Sequence, residues 1–353
     1  MRALSDYGVA ELQQQIAGWG FKASHARALL RNYHAGAGAV AWSELGTPRG
    51  LRARLEGEIA LLASVPVARE AAADGTVKVL LKLADGRTVE AVVMPGYQEG
   101  RAAGCLSSQV GCALACDFCA TAQSGFARNL SPGEMVEQFL HLRREARAIG
   151  RRLQTVVFMG MGEPLLNLEN VLAAVRRIAG GDPGALGWRQ ITVSTVGIVP
   201  GIDALAAANL NINLAVSLHA PDDATRATLI PSGRRFGVQE ILAAADRFQA
   251  RNHGRPVSIQ YCLLKGVNDS PEQARQLAAL LAGRRMHVNL LHYNPTGVSL
   301  TGRTYAASPA EVAAAFLGEL RARRVVAHFR RPRGREIDAA CGQLRRRRSP
   351  AGE

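Results

Sequence analysis

Apolar positions along the chain recur with two periods, and the change from one to the other divides it into segments. Over residues 1–64 they fall at helical spacing in VAELQQQIAGWG, SHARALLRNYHAG and PRGLRARLEGEIALLA, three stretches separated by Gly-rich breaks. Two strand-like runs follow, VKVLLKL and TVEAVVM. They are joined by Ala84-Asp85-Gly86-Arg87, which reads as a hairpin lying outside the main fold. From about residue 98 strand-like and helical stretches alternate. The expected strands are 104–109, 154–159, 190–195, 212–218, 257–263 and 286–291. The helices expected after them are 132–149, 168–179, 200–208, 238–251, 271–282 and 309–323. Two of these open with a capping-box pattern at a helical Pro, Ser131-Pro-Gly-Glu134 and Ser308-Pro-Ala-Glu311.

Six βα units in series make the fold class α/β. The sheet is parallel with right-handed crossovers, either open and doubly wound or a barrel, complete or partial. In every such architecture chemistry belongs at the carboxyl ends of the strands. The unusual residues collect there. GMGEP follows the second expected strand, Ser194-Thr195 ends the third, Ser217-Leu218-His219 ends the fourth, and Asn294 lies past the sixth.

At 353 residues the chain has room for about two domains, and 48% hydrophobic residues supply a core. No apolar run approaches the ~18 residues of a membrane span. The opening MRALSDYGVAELQQQIAGWG lacks the apolar stretch of a signal peptide, so a cytoplasmic protein is expected. Charge adds a partner class: 43 Lys and Arg against 29 Asp and Glu give +14, which calls for a polyanion, nucleic acid first. Eleven arginines and only two acids, Glu336 and Asp338, lie between Arg321 and Arg348. That stretch reads either as a phosphate-binding surface or, for Arg345 to Arg348, as a solvated tail.

Four of the six cysteines, Cys105, Cys112, Cys116 and Cys119, fall within fifteen residues, which in a reducing compartment points to metal or redox chemistry. Cys112, Cys116 and Cys119 form a C-x3-C-x2-C loop after the first strand. A structural zinc site wants four ligands, and Cys105, across an expected strand, is poorly placed to be the fourth. Three thiolates instead suit a [4Fe–4S] cluster with one iron open. The zinc knuckle stays as the bland reading. Cys262, inside an expected strand, reads as a packing cysteine, and Glu90 as a solvent-facing strand residue.

C-x3-C-x2-C at the top of a βα series resembles the radical S-adenosylmethionine (SAM) superfamily. Five strings go further: CLSSQVGCALACDFCATAQSGFARNL, VFMGMGEPLLNLENV, ITVSTVGIVPGI, NLAVSLHAPDDATRATLIP and REIDAACGQL. Together they closely resemble the radical SAM RNA methyltransferases that modify adenine C2. The resemblance implies a partial (β/α)6 radical SAM barrel over residues 98–336. A helical RNA-binding accessory domain (1–64), a linker and β-hairpin (65–97), and a C-terminal Cys loop with a basic tail (337–353) would complete the chain. It also implies roles. Cys112, Cys116 and Cys119 would hold the cluster, and Gly162, Glu163, Ser194, Ser217, Leu218, His219 and Asn294 would bind SAM. Cys341 would be methylated by one SAM, and a second SAM, cleaved at the cluster, would generate the radical that joins that carbon to C2. Cys105 would then release the product by forming a disulfide with Cys341, and Glu90 would accept a proton. The implied partners are rRNA and tRNA, with a reducing protein such as flavodoxin or ferredoxin as electron donor, acting on a monomer. Methylation at C8, and a catalytically idle RNA-binding protein with a structural metal site, remain as alternatives.

Overall fold

Leu12 and Ile16, Leu29, Leu30 and Tyr33, and Leu51 and Leu55 recur at helical spacing and are buried. The stretches that carry them follow β1 (Arg2–Ala3) as α1 (Val9–Gly18), α2 (His25–Ala35) and α3 (Arg49–Glu58). The unit closes with β2 (Ile59–Ala60), paired parallel to β1. The computed structural model describes residues 2–180, 185–231, 235–331 and 333–344, so the Arg345–Arg348 run lies outside the described residues.

The expected hairpin forms as β4 (Val77–Lys82) and β5 (Thr88–Pro95), preceded by a strand without a clear alternating pattern, β3 (Val65–Ala71). It does not stand outside the main fold. β5 pairs antiparallel with β6 (Arg101–Cys105), so the meander prolongs the principal sheet. β6 ends at Cys105 rather than Gln109. Beyond it the chain leaves the sheet and forms β7 (Gln109–Gly111), which pairs with β8 (Phe126–Asn129) around the short α4 (Ala120–Gln123).

The alternation then runs as read from the pattern: α5 (Pro132–Ala148), β9 (Arg152–Phe158), α6 (Leu168–Ile178), β10 (Ile191–Thr195), α7 (Val199–Ala207) and β11 (Asn213–Ser217). A short α8 (Asp223–Leu229) precedes α9 (Val238–Arg251). β12 (Val257–Leu263), α10 (Pro271–Leu281), β13 (Met286–His292), α11 (Ala310–Ala322) and a further strand, β14 (Ala327–Phe329), complete the series. The sheet has ten strands in the order β14-β13-β12-β11-β10-β9-β6-β5-β4-β3, and the seven from β14 to β6 are mutually parallel. This is an α/β partial barrel, one strand longer than six βα units require.

Capping chemistry sets the helix starts. Glu134 N–H donates to Ser131 Oγ (3.1 Å) and Ser131 N–H to Glu134 Oε2 (2.8 Å), the reciprocal box expected for α5. The second expected box fails, because Ser308 Oγ donates to Asp269 Oδ2 (2.6 Å) and α11 starts one residue later without a side-chain cap. Ser270 and Gln273 form one that the pattern reading passed over, at the start of α10. The N-terminal unit is clamped to α5 by the buried Glu137. Its carboxylate accepts from Ser5 Oγ (2.8 Å) and from the N–H groups of Ala63 (2.8 Å) and Ser64 (2.7 Å). Such a saturated buried carboxylate fixes the angle between two packed layers.

Candidate active site at the carboxyl rim

The loop between β7 and α4 carries Cys112, Cys116 and Cys119. Ala115 adopts φ +53, which turns the chain sharply before Cys116. Cys112 N–H donates to Gly125 O (3.0 Å) and Asp117 N–H to Leu229 O (2.9 Å). The Asp117 carboxylate accepts from Thr301 N–H (3.1 Å), Thr301 Oγ1 (2.7 Å) and Tyr305 Oη (2.7 Å). Burial disfavours its charge, but these bonds outweigh that and hold its pKa below the ordinary value. Asp117 therefore pins the loop to residues 299–305, a role the sequence reading missed. Its signal was an acid placed among ligand cysteines.

All three thiols are free and line one cavity of about 160 Å3 together with Glu163. Burial pushes the Cys112 thiol up to about 12 and raises Cys116 well above its ordinary value. A bound metal reverses that cost by taking the thiolate as a ligand. Among the described residues no three Cys, His, Asp or Glu side chains converge on a single metal ion. A zinc knuckle needs all its donors within about 2.3 Å of one point, whereas a cube spreads three thiolates over three corners. The donor set fits the cluster better than the zinc.

After β9 the GMGEP turn brings backbone against backbone. Gly162 has φ +96, and a Cβ there would lie 2.5 Å from Gln109 Cβ and 2.8 Å from its backbone N, so only glycine fits. Gln109 Oε1 accepts from Glu163 N–H (2.9 Å), another contact not read from the sequence. Glu163 is buried and accepts from Leu165 N–H (3.0 Å) and Val196 N–H (2.9 Å). Burial raises its pKa to about 7 despite these bonds. With the Thr195 side chain as a third donor, the carboxylate keeps one lone pair for a cationic ligand.

Parallel register sets the neighbouring strand ends beside it: Ser194 pairs with Ala215, and Ser217 with Gln260. Ser194, Ser217 and His219 line the thiol cavity. His219 Nδ1 accepts from Cys262 N–H (3.0 Å), and burial with the nearby Arg226 charge pushes the ring down to about 3. It is a neutral imidazole with its proton on Nε2. Leu218 does not join them. Its side chain is in the core and its N–H donates to Gln260 O (3.1 Å).

A second cavity, of about 640 Å3, adjoins the first. Its lining holds Arg101, Arg330, Arg331 and Arg333, the amides of Gln98, Gln154 and Gln190, and no acid among the described residues. At its edge Tyr97 is 75% exposed and lies 5.8 Å beneath the Arg333 guanidinium. Cys105, buried, and Cys341, exposed, both line it, and burial followed by the neighbouring Cys341 pushes Cys105 up to about 12. Cys341 also lines the thiol cavity, as the one cysteine common to both. Asn294 lines the larger cavity rather than the thiol cavity. Its Oδ1 accepts from Arg335 Nε (2.8 Å) and its Nδ2 donates to Cys341 O (3.5 Å), so it supports the C-terminal segment here.

That segment crosses the rim as a strap. Gly334 N–H donates to Asp74 Oδ2 (3.2 Å), Ala120 N–H to Gly342 O (2.8 Å) and Thr121 Oγ1 to Leu344 O (2.6 Å). Glu90 departs from the solvent-facing reading. It is 1% exposed, and its carboxylate faces Lys78 Nζ at 3.5 Å on a strand whose two faces are both covered. It lines neither cavity.

The chain matches the family model described as the Radical SAM superfamily over residues 106–278. It is 67% identical over 346 residues to the probable dual-specificity RNA methyltransferase RlmN 1 of Opitutus terrae, covering 98% of this chain and 97% of that protein. Identity to the probable dual-specificity RNA methyltransferase RlmN of Salinispora tropica is 45% over 352 residues, 97% of this chain and 92% of that one. The crystal structure of a radical SAM methyltransferase from Sphaerobacter thermophilus superposes with a TM-score of 0.90 at 41% identity. The match covers 98% of this chain and 99% of that one.

Proposed function

Because the chain belongs to the RlmN family of radical SAM RNA methyltransferases, we propose that it methylates C2 of adenine in both large-subunit rRNA and tRNA, with Cys341 as the methyl carrier. Membership implies a [4Fe–4S] cluster and SAM. When bound, the cluster supplies the electron that cleaves SAM to a 5′-deoxyadenosyl radical. The observation that carries the reading is the position of Cys341, which lines both the thiol cavity and the basic cavity.

Each residue then has a task. Cys112, Cys116 and Cys119 hold the cluster. Glu163 takes the ammonium of SAM, and Ser194, Ser217 and His219 offer neutral polar partners beside it. Gly162 lets the backbone approach. Cys341 receives a methyl from one SAM, and after a second SAM is cleaved it carries that carbon to the base. The larger cavity receives the adenine, which must leave its stack to arrive there. Its arginines meet phosphate, and Tyr97 presents a face on which an unpaired base stacks. Glu90, which lines neither cavity while the C-terminal segment is docked, is assigned the proton lost from C2 once that segment moves, and the unpaired electron left on the base would return to the bound cluster. Cys105 attacks the Cys341 sulfur and the bond from that sulfur to carbon breaks. The electron pair and a proton go to the carbon, and a Cys105–Cys341 disulfide remains. The enzyme works as a cytoplasmic monomer fed by a flavodoxin or ferredoxin. No helix among the described residues is long and apolar enough to cross a membrane.

Two variants test the reading. Cys341→Ala abolishes methyl transfer while RNA still binds, and undiminished turnover would overturn the carrier role. Cys105→Ala accumulates a covalent RNA–protein adduct on denaturing gels. Mass spectrometry of rRNA and tRNA nucleosides from cells with and without the gene identifies the methylated position.

A further inference from the structure

Lys78 lies 2% exposed in β4, where an ammonium has no water to turn to. Its Nζ reaches three acceptors on three different elements. Glu70 Oε2 of β3 lies at 3.4 Å, Glu90 Oε1 of β5 at 3.5 Å, and the third is the backbone carbonyl of Ile337 in the C-terminal strap. Register explains the two carboxylates. Glu70 pairs directly with Lys78, and Glu90 pairs with Leu80, one step along the same face. The two carboxylates stand at ion-pair distance, and the Ile337 carbonyl is the acceptor that takes a hydrogen bond from the ammonium, so that bond is made only while the strap is down.

From this geometry we propose that Lys78 is a positioning residue that holds the Cys341 strap docked and joins it to Glu90. The inference rests on the roles given above to Cys341 and Glu90. The strap is also held by the Gly334 N–H bond and the Arg333 ion pair to Asp74, by Asn294, which bonds Arg335 and the Cys341 carbonyl, and by the Gln343 amide on Pro295 O. Gly334, Asp338 and Gly342 have φ of +61, +51 and +84, so the segment turns sharply at three points. When the strap lifts, Lys78 loses its carbonyl and is left to the two glutamates, so the buried charge stays paired in both states. The fold thus offers the strap a docked and a lifted position without stranding the cation. Lys78 is the contact through which Glu90 and the Cys341 segment are linked.

The test uses the full-length, cluster-loaded protein and hydrogen exchange. Lys78→Met should speed exchange over residues 335–344 by about tenfold, as loss of one buried charge-assisted bond implies, while β11 and β12 keep their protection. Removing the Lys78 charge takes a counter-charge from the buried Glu90, so the double variant Lys78→Met/Glu90→Gln guards against simple misfolding. It should show the same loosening, confined to the strap. Lys78→Arg should restore protection to within about threefold. In turnover, Lys78→Met should lower kcat and leave the KM for RNA unchanged. Wild-type strap exchange in the double variant, or equal loosening of β11 and β12, would overturn the proposal. The exchange readout needs no turnover, so a failure of the Cys341 carrier reading would show separately, as activity surviving in Cys341→Ala.

Discussion

Residues 112–119 and residues 333–344 both bring sulfur to the rim, and they are held in opposite ways. In the first, three cysteines sit within eight positions, and one buried carboxylate, Asp117, is bonded twice by Thr301 and once by Tyr305. The loop is closed at its base by Cys112 N–H on Gly125 O. In the second, a single exposed cysteine rides on a segment fastened by scattered bonds to Asp74, Lys78, Asn294, Ala120 and Thr121. Permanent ligands need fixed geometry, and a carrier that serves two cavities needs to move. The contrast between a loop whose fastening is concentrated on one saturated carboxylate and a segment tied by single bonds to several elements is that between a scaffold and an arm.

The largest effects should separate the two segments cleanly. Cys116→Ala should strip iron and abolish turnover, whereas Cys341→Ala should abolish turnover with iron content and the optical spectrum intact. Loss of iron in both would erase the distinction. Next comes the backbone beneath the proposed SAM site. Gly162→Ala forces a Cβ to 2.5 Å from Gln109 at φ +96 and should cost ~1–3 kcal/mol of stability, with SAM affinity down at least tenfold in equilibrium dialysis. Asp117→Ala strands the partners of a buried carboxylate, so ~1–3 kcal/mol of stability and faster iron loss to a chelator are expected. A smaller effect belongs to the basic cavity. Tyr97→Ala should raise the KM for RNA about tenfold, and Tyr97→Phe should not, since stacking needs only the ring.

The smallest effect is a pH slope. Burial raises Glu163 from 4.5 to about 7. Between those values the folded chain keeps a proton that the unfolded chain gives up, so stability without SAM falls as pH rises through that window. A SAM ammonium wants the ionised form, so SAM affinity moves the other way, rising up to about pH 7 and levelling above it. Glu163→Gln should flatten both slopes in calorimetry.

Much of this was legible because parallel βα units repeat. Residues 238–251 and 257–263 fall where periodicity puts them, since buried parallel strands read as continuous apolar runs and their helices as amphipathic ones. β3 was not legible, because VPVAREA carries a Pro and is mostly exposed on the sheet edge. β14 is only three residues long. Ser308 looked like a cap until Asp269, thirty-nine positions away, claimed its hydroxyl. The cysteine loop was visible because its three thiols are close together in sequence. The burial of Glu90 was not, since it depends on a strand and strap that cover the hairpin. The Ala84–Arg87 turn fixed the register, however, and from it Lys78 and Glu90 could have been placed on one face as opposite charges.

The most direct measurement is peptide mass spectrometry of the cluster-loaded protein after incubation with SAM bearing a labelled methyl group. Labelled methyl on the peptide holding Cys341, absent from every other cysteine and discharged when RNA and reductant are added, is the predicted result. Label that reaches RNA adenine without ever residing on Cys341 would contradict the account.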